Sequence, residues 1–164
     1  MAKLKLKKSE LHEHLKYIVP EIRLVLIKEP AAEEPAFIRC PEDIEKFVQP
    51  MKFYPEEHFV SFHLNARHAV TGHQIVSRGT LSASLVHPRE VFKAAILGNS
   101  HSIIVAHNHP GGSTEPSTDD LDTTEQLIKG GKLLGISVLD HIIVSSKGLN
   151  SLRETHPELW TRFA

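Results

Sequence analysis

His107 and His109, two residues apart, with Asp120 eleven residues after the second, are the side chains here whose types and spacing could do chemistry. Two imidazole nitrogens and one carboxylate oxygen can hold a divalent ion, and three protein ligands leave a position open for water. A purely structural zinc more usually closes its shell with four. The donor set suits zinc, while iron, manganese and cobalt are compatible with the same ligand types. His-x-His alone is weak in a chain with 12 histidines, so the elements that carry the residues decide the reading.

Residues 102–106 form a short apolar run, as expected of a strand buried on both faces. Side chains two apart on an extended chain share a side, so His107 and His109 can converge at the end of that strand. Pro110, Gly111 and Gly112 then turn the chain away. A helix is expected from Ser117 to about Leu134, with Leu121, Thr124, Ile128 and Leu134 at helical spacing. Asp120 falls in its first turn and can face the imidazoles. The run Ser117-Thr118-Asp119-Asp120 also resembles a capping box, in which Asp120 would serve the helix start alone. Strand, His-x-His, Pro/Gly turn and carboxylate together favour a ligand.

The remaining pattern alternates. A strand is expected over residues 20–28, a loop over 30–35, and a helix from Pro41 with Ile44, Phe47 and Val48 inward, ended by Pro50. Residues 57–64 and 69–76 read as paired strands across a polar turn at 65–68. A helix opens at Pro88, with Val91, Ala94, Ala95 and Gly98 on one side, and stops at Gly98 and Asn99. A last strand covers 136–144. Gly130 and Gly131 cost a helix roughly 1 kcal/mol each, so they mark close packing or a helix end. The class is α/β of the α+β type, with helices packed on a central sheet.

At 164 residues one domain is expected over 19–164, preceded at 1–18 by a fraying arm made basic by Lys3, Lys5, Lys7 and Lys8. A net charge of -1 gives no bulk attraction to nucleic acid. Cys40 is the lone cysteine, so no intrachain disulfide can form, and no motif pairs it with a base. Neither an apolar leader nor a stretch of transmembrane length is visible, and the expectation is a cytoplasmic protein without membrane attachment.

The run from Ala106 through His107-Asn108-His109-Pro110-Gly111-Gly112 and Pro116-Ser117 to Asp120 resembles the JAMM signature of the JAB/MPN metalloprotease superfamily. Together with residues 80–91 and 139–144, it resembles more narrowly the RadC-like branch, once named for DNA repair. The similarity covers about residues 40–153. It implies a curved mixed β-sheet with flanking helices, like that of cytidine deaminases. It further implies one zinc ion and hydrolysis of amide or isopeptide bonds in a peptide or protein substrate. The resemblance puts the general base at a glutamate opening a strand before His107, here Glu57, with Glu56 the rival. That carboxylate would take a proton from the metal-bound water and return it to the leaving amine.

Ser117 would stabilise the oxyanion, and His141 is either a neighbour of the site or a core histidine. After His-Pro the branch commonly has Ser, Gly and Asp, where this chain has Gly111, Gly112 and Ser113. Longer members also carry an N-terminal helical region of helix-hairpin-helix type, which residues 1–40 are too short to supply. Two alternatives stay open: a metal-stabilised binding module without turnover, and a DNA-repair-associated accessory protein.

Overall fold

The computed structural model describes residues 36–79 and 86–162. The expected basic arm, the strand over 20–28 and the loop over 30–35 lie outside those residues.

Helix α1 (Pro41–Val48) starts where the sequence suggests, with Pro41 in its first turn and Glu42 and Asp43 at its positive end. Pro50 does not end the helical path. The α-helix stops at Val48 and a 3-10 turn carries on over Gln49–Phe53, with Pro50 in its opening turn, where a missing N–H is harmless. Strands β1 (His58–Leu64) and β2 (Val70–Arg78) follow as an antiparallel pair. Between them the Asn65 side chain accepts from the amides of Arg67 and Ala69, and His68 takes φ 59°.

Helix α2 (Pro88–Leu97) buries Val91, Phe92 and Ala95. Its inward face therefore includes Phe92, which the expected set lacked, while Gly98 is the cap. Strand β3 (Ser102–Asn108) is buried throughout and runs two residues past its apolar run, taking in His107 and Asn108. Backbone pairing to the neighbouring strand sets this length, and side-chain polarity does not interrupt it. Helix α3 (Thr118–Leu134) leads to β4 (Ser137–Ser145). The chain then adds β5 (Gly148–Ser151) and the short helices α4 (Leu152–Thr155) and α5 (Glu158–Thr161).

Among the described residues five strands form one mixed sheet in the order β2-β1-β3-β4-β5. Only β3 and β4 are parallel, joined by the α3 crossover that such a pair requires. One face packs on α2, α3 and the C-terminal helices through Phe59, Phe92, Val105, Leu127 and Trp160. The other packs on α1 through Ile44, Val48, Val60, Phe62 and Ala106. This is an α+β fold, an open mixed sheet flanked by helices, consistent with the JAB/MPN architecture.

The buried stripe of α3 is Thr124, Leu127, Ile128 and Gly131, whereas Leu134 is exposed. Six residues separate Ile128 from Leu134, a turn of about 240° that carries Leu134 off the face. A Cβ at Gly131 would press on the carbonyl of Ile136 and come within 3.2 Å of the Phe92 ring. Close packing, and not a helix end, explains that glycine; the end is Gly135, at φ 69°. Among the described residues no helix is long and apolar enough to cross a membrane.

Candidate metal centre

The centre lies where β3 ends and α3 begins. His107 occupies the face of β3 that turns toward α3, its ring stacked on Phe59 of β1 at 6.0 Å between centroids. His109 follows the strand, and its amide donates to Val144 O, prolonging the ladder by one step. The chain then turns at Gly112, which has φ 83° and donates its N–H to His109 O. Ser145 Oγ holds the turn from outside by donating to Gly112 O. The same turn brings Ser113 O to 3.1 Å from His109 Nδ1.

Asp120 is both a capping residue and a member of the centre. Its Oδ2 accepts from Ser117 N at 2.7 Å and from Ser117 Oγ at 2.6 Å, while its amide donates back to Ser117 Oγ. Its Oδ1 stands 3.1 Å from His107 Nε2, and Oδ2 3.5 Å from His109 Nε2. Oδ2 carries the cap and also faces His109, while Oδ1 faces His107. Burial pushes the Asp120 carboxyl up, but the neighbouring imidazoles of His107 and His109 and the Ser117 hydroxyl hold it well below the usual carboxylate range. His109 is raised by its hydrogen bond to Asp120, against desolvation, with Asp120, Ser113 O and Glu57 adding to the effect.

The donor chemistry fits a cation. A carbonyl oxygen can only accept, so His109 Nδ1 carries its proton toward Ser113 O and Nε2 is left as the lone pair of the neutral ring. That nitrogen lies 2.9 Å from His107 Nε2, with the carboxylate beside both. Donors about 2.05 Å from a tetrahedral zinc stand about 3.3 Å apart. The two imidazole nitrogens are 2.9 Å apart, and the nearest carboxylate oxygen of each is 3.1 Å (Oδ1, from His107) and 3.5 Å (Oδ2, from His109), around that value. The His-His-Asp group is placed to hold a metal ion. His107 is closed off with its side chain 1% exposed, while those of His109 and Asp120 are 17% and 14% exposed, so the centre opens on their side.

Glu57 immediately precedes β1. Side chains alternate along a strand, so Glu57 shares a face with Phe59, the residue paired with and stacked on His107. Glu56 belongs to the opposite parity and is exposed. The negative charge of Glu57 registers at His109. The backbone here is clamped by Asn108, which accepts from His58 N at 2.8 Å and donates to Glu56 O at 3.1 Å. Gly79 N donates to Glu57 O as well. Asn108 thus ties the ligand strand to the segment bearing Glu57, a function that sequence spacing did not suggest.

His141 is fully buried and lies against the centre, its Nε2 2.8 Å from His107 Nδ1 and its Nδ1 2.6 Å from Thr124 Oγ1. Thr124 figured in the sequence only as part of an apolar stripe. Cys40 stands exposed at the start of α1, where a hydrogen bond to Glu42 pushes its thiol up, away from nucleophilic reactivity.

Comparisons with known proteins identify the family. The family model described as "RadC-like JAB domain" matches residues 38–157. A UPF0758 protein of Geobacillus thermodenitrificans is 47% identical over 118 residues, covering 71% of this chain and 52% of its own length. A UPF0758 protein of Methanosarcina acetivorans is 44% identical over 124 residues, 74% of this chain and 54% of its own. The chain therefore spans about half the length of the curated relatives it matches. Over residues 38–157, which include Glu57 and the His107, His109 and Asp120 group, the chain belongs to the RadC-like JAB domain family.

Proposed function

We propose that this chain is a zinc-dependent hydrolase of amide bonds, a peptidase or isopeptidase, in which His107, His109 and Asp120 hold one zinc ion. The observation that carries the reading is the convergence of two imidazole nitrogens and one carboxylate on a point open to one side. Zinc bound there supplies Lewis acidity toward a substrate carbonyl and makes water acidic enough to attack near neutral pH.

The protein's own groups do the rest. Glu57 is the general base: its carboxylate takes a proton from the attacking water and delivers it to the leaving amine. Its strand parity with Phe59 and its field at His109 support it over Glu56. Ser117 donates to the developing oxyanion. Its hydroxyl proton points at Asp120 Oδ2 in this structure, so that role requires the hydroxyl to rotate. The substrate is a peptide or protein, and the setting is the cytoplasm, where Cys40 stays a free thiol.

The test compares wild type and Glu57→Gln, both loaded with zinc, on a broad panel of peptide and isopeptide-linked substrates. The proposal expects wild-type turnover and, in the variant, unchanged zinc content with hydrolysis slowed by at least the ~100-fold typical of a lost acid–base group. Equal turnover removes Glu57 from the mechanism. Bound zinc with no hydrolysis across the panel makes the chain a binding module.

A further inference from the structure

The contacts behind His107 run in one direction. Thr124 Oγ1 lies 2.6 Å from the main-chain carbonyl of Asp120 and 2.6 Å from His141 Nδ1. A hydroxyl has one proton and a carbonyl can only accept, so the proton goes to Asp120 O and His141 Nδ1–H must donate to Oγ1. His141 is fully buried, and with Nδ1–H given to Thr124 its ring is satisfied as the neutral form, the one burial favours. Its Nε2 is then a lone pair. His107 Nδ1, 2.8 Å away, must donate to it. The free nitrogen of the neutral His107 ring is Nε2, the one beside Asp120 Oδ1.

We propose that Thr124 and His141 are positioning residues that set the tautomer of His107 and so reserve its Nε2 lone pair for the metal. The relay begins at the main-chain carbonyl of Asp120 and ends beside that residue's carboxylate, so one turn of α3 supplies a ligand and orients another. Metal-bound histidines are commonly oriented through their second nitrogen by a carbonyl, carboxylate or water. Here a second, buried histidine does this, and it can do so only because Thr124 dictates its proton. The inference rests on the metal centre of the preceding section and not on hydrolysis.

Its test uses the full chain, free of metal, as wild type, Thr124→Val and Thr124→Ser. Nitrogen-15 NMR of the imidazoles distinguishes N–H from lone-pair nitrogens, and chelator competition reads zinc affinity. Wild type and Thr124→Ser should carry the proton on Nδ1 of both His141 and His107. Thr124→Val removes the acceptor, so both protons should move to Nε2 and zinc affinity should fall on the order of 10–100-fold. A wild-type His141 protonated at Nε2 overturns the proposal, whether or not Thr124→Val folds. Wild-type zinc affinity in a folded Thr124→Val overturns it too, leaving the metal centre standing. A chain that takes up no zinc in any form overturns both.

Discussion

Replacing Asp120 by asparagine separates its two duties. The amide oxygen can still accept from Ser117 N and Oγ, now 2.7 and 2.6 Å from Oδ2, so the helix cap survives. The amide nitrogen replaces Oδ1, 3.1 Å from His107 Nε2, and offers that lone pair a proton in place of a negative charge. The metal-free variant should therefore melt at least as high as metal-free wild type at pH 8. With zinc the order reverses. A ligand at 100 times its Kd stabilises a fold by about 2.7 kcal/mol. Losing an anionic ligand should cost at least the ~100-fold seen for supporting groups, which leaves the variant about 0.4 kcal/mol at the same zinc concentration. For a chain of 164 residues these figures correspond to a zinc-induced rise in Tm of about 5–10 °C in wild type and about 1 °C in the variant. Thermal melts with and without chelator read both numbers. Equal zinc shifts in the two proteins would refute the assignment of Asp120 as a ligand. A metal-free variant melting well below metal-free wild type would show that the cap does not survive.

Two further outcomes follow from the same contacts. His109 is raised, so its proton stabilises the metal-free fold below the ordinary histidine range and that contribution is lost as pH rises through the raised value. Asp120 is depressed, so its contribution is present above about 3.9 and lost as pH falls below. Metal-free stability from this pair should thus be greatest between roughly pH 4 and 6.5 and decline above, and zinc affinity should keep rising beyond pH 6.5 as the competing proton leaves. Chelator competition across pH checks this, and a flat profile from pH 6 to 8 would contradict it. In α3, Gly131→Ala should destabilise by about 1–2 kcal/mol, since overpacking against Ile136 O and Phe92 outweighs the roughly 1 kcal/mol of helix propensity gained. Gly130→Ala meets Phe92 only at 3.4 Å and should be neutral or stabilising by up to about 1 kcal/mol in denaturant titrations.

Local pattern made much of this molecule legible. Apolar runs announced β1, β3 and β4, and prolines and glycines marked the starts of α1 and α2 and the end of α2. The ligand trio was legible because its spacing mirrors local geometry: a strand end, a tight turn and a first helical turn. What escaped depends on contacts across the sheet. The relay joins His141 to His107 over 34 residues and to Thr124 over 17, and neither separation has a period. Asn108 sits between two ligands yet acts on the opposite face, reaching a segment 50 residues away. Strand β5 is four residues without alternation, and Leu152, Leu159 and Trp160 are buried from helices too short to show a stripe.

Zinc-edge X-ray absorption on the chain loaded with one equivalent of zinc tests the three-ligand centre with an open position most directly. The spectrum should show two imidazole nitrogens, with oxygen ligands completing the shell, one of them exchangeable with added small anions. A shell of four protein ligands with no exchangeable member, or zinc bound without imidazole, would contradict it.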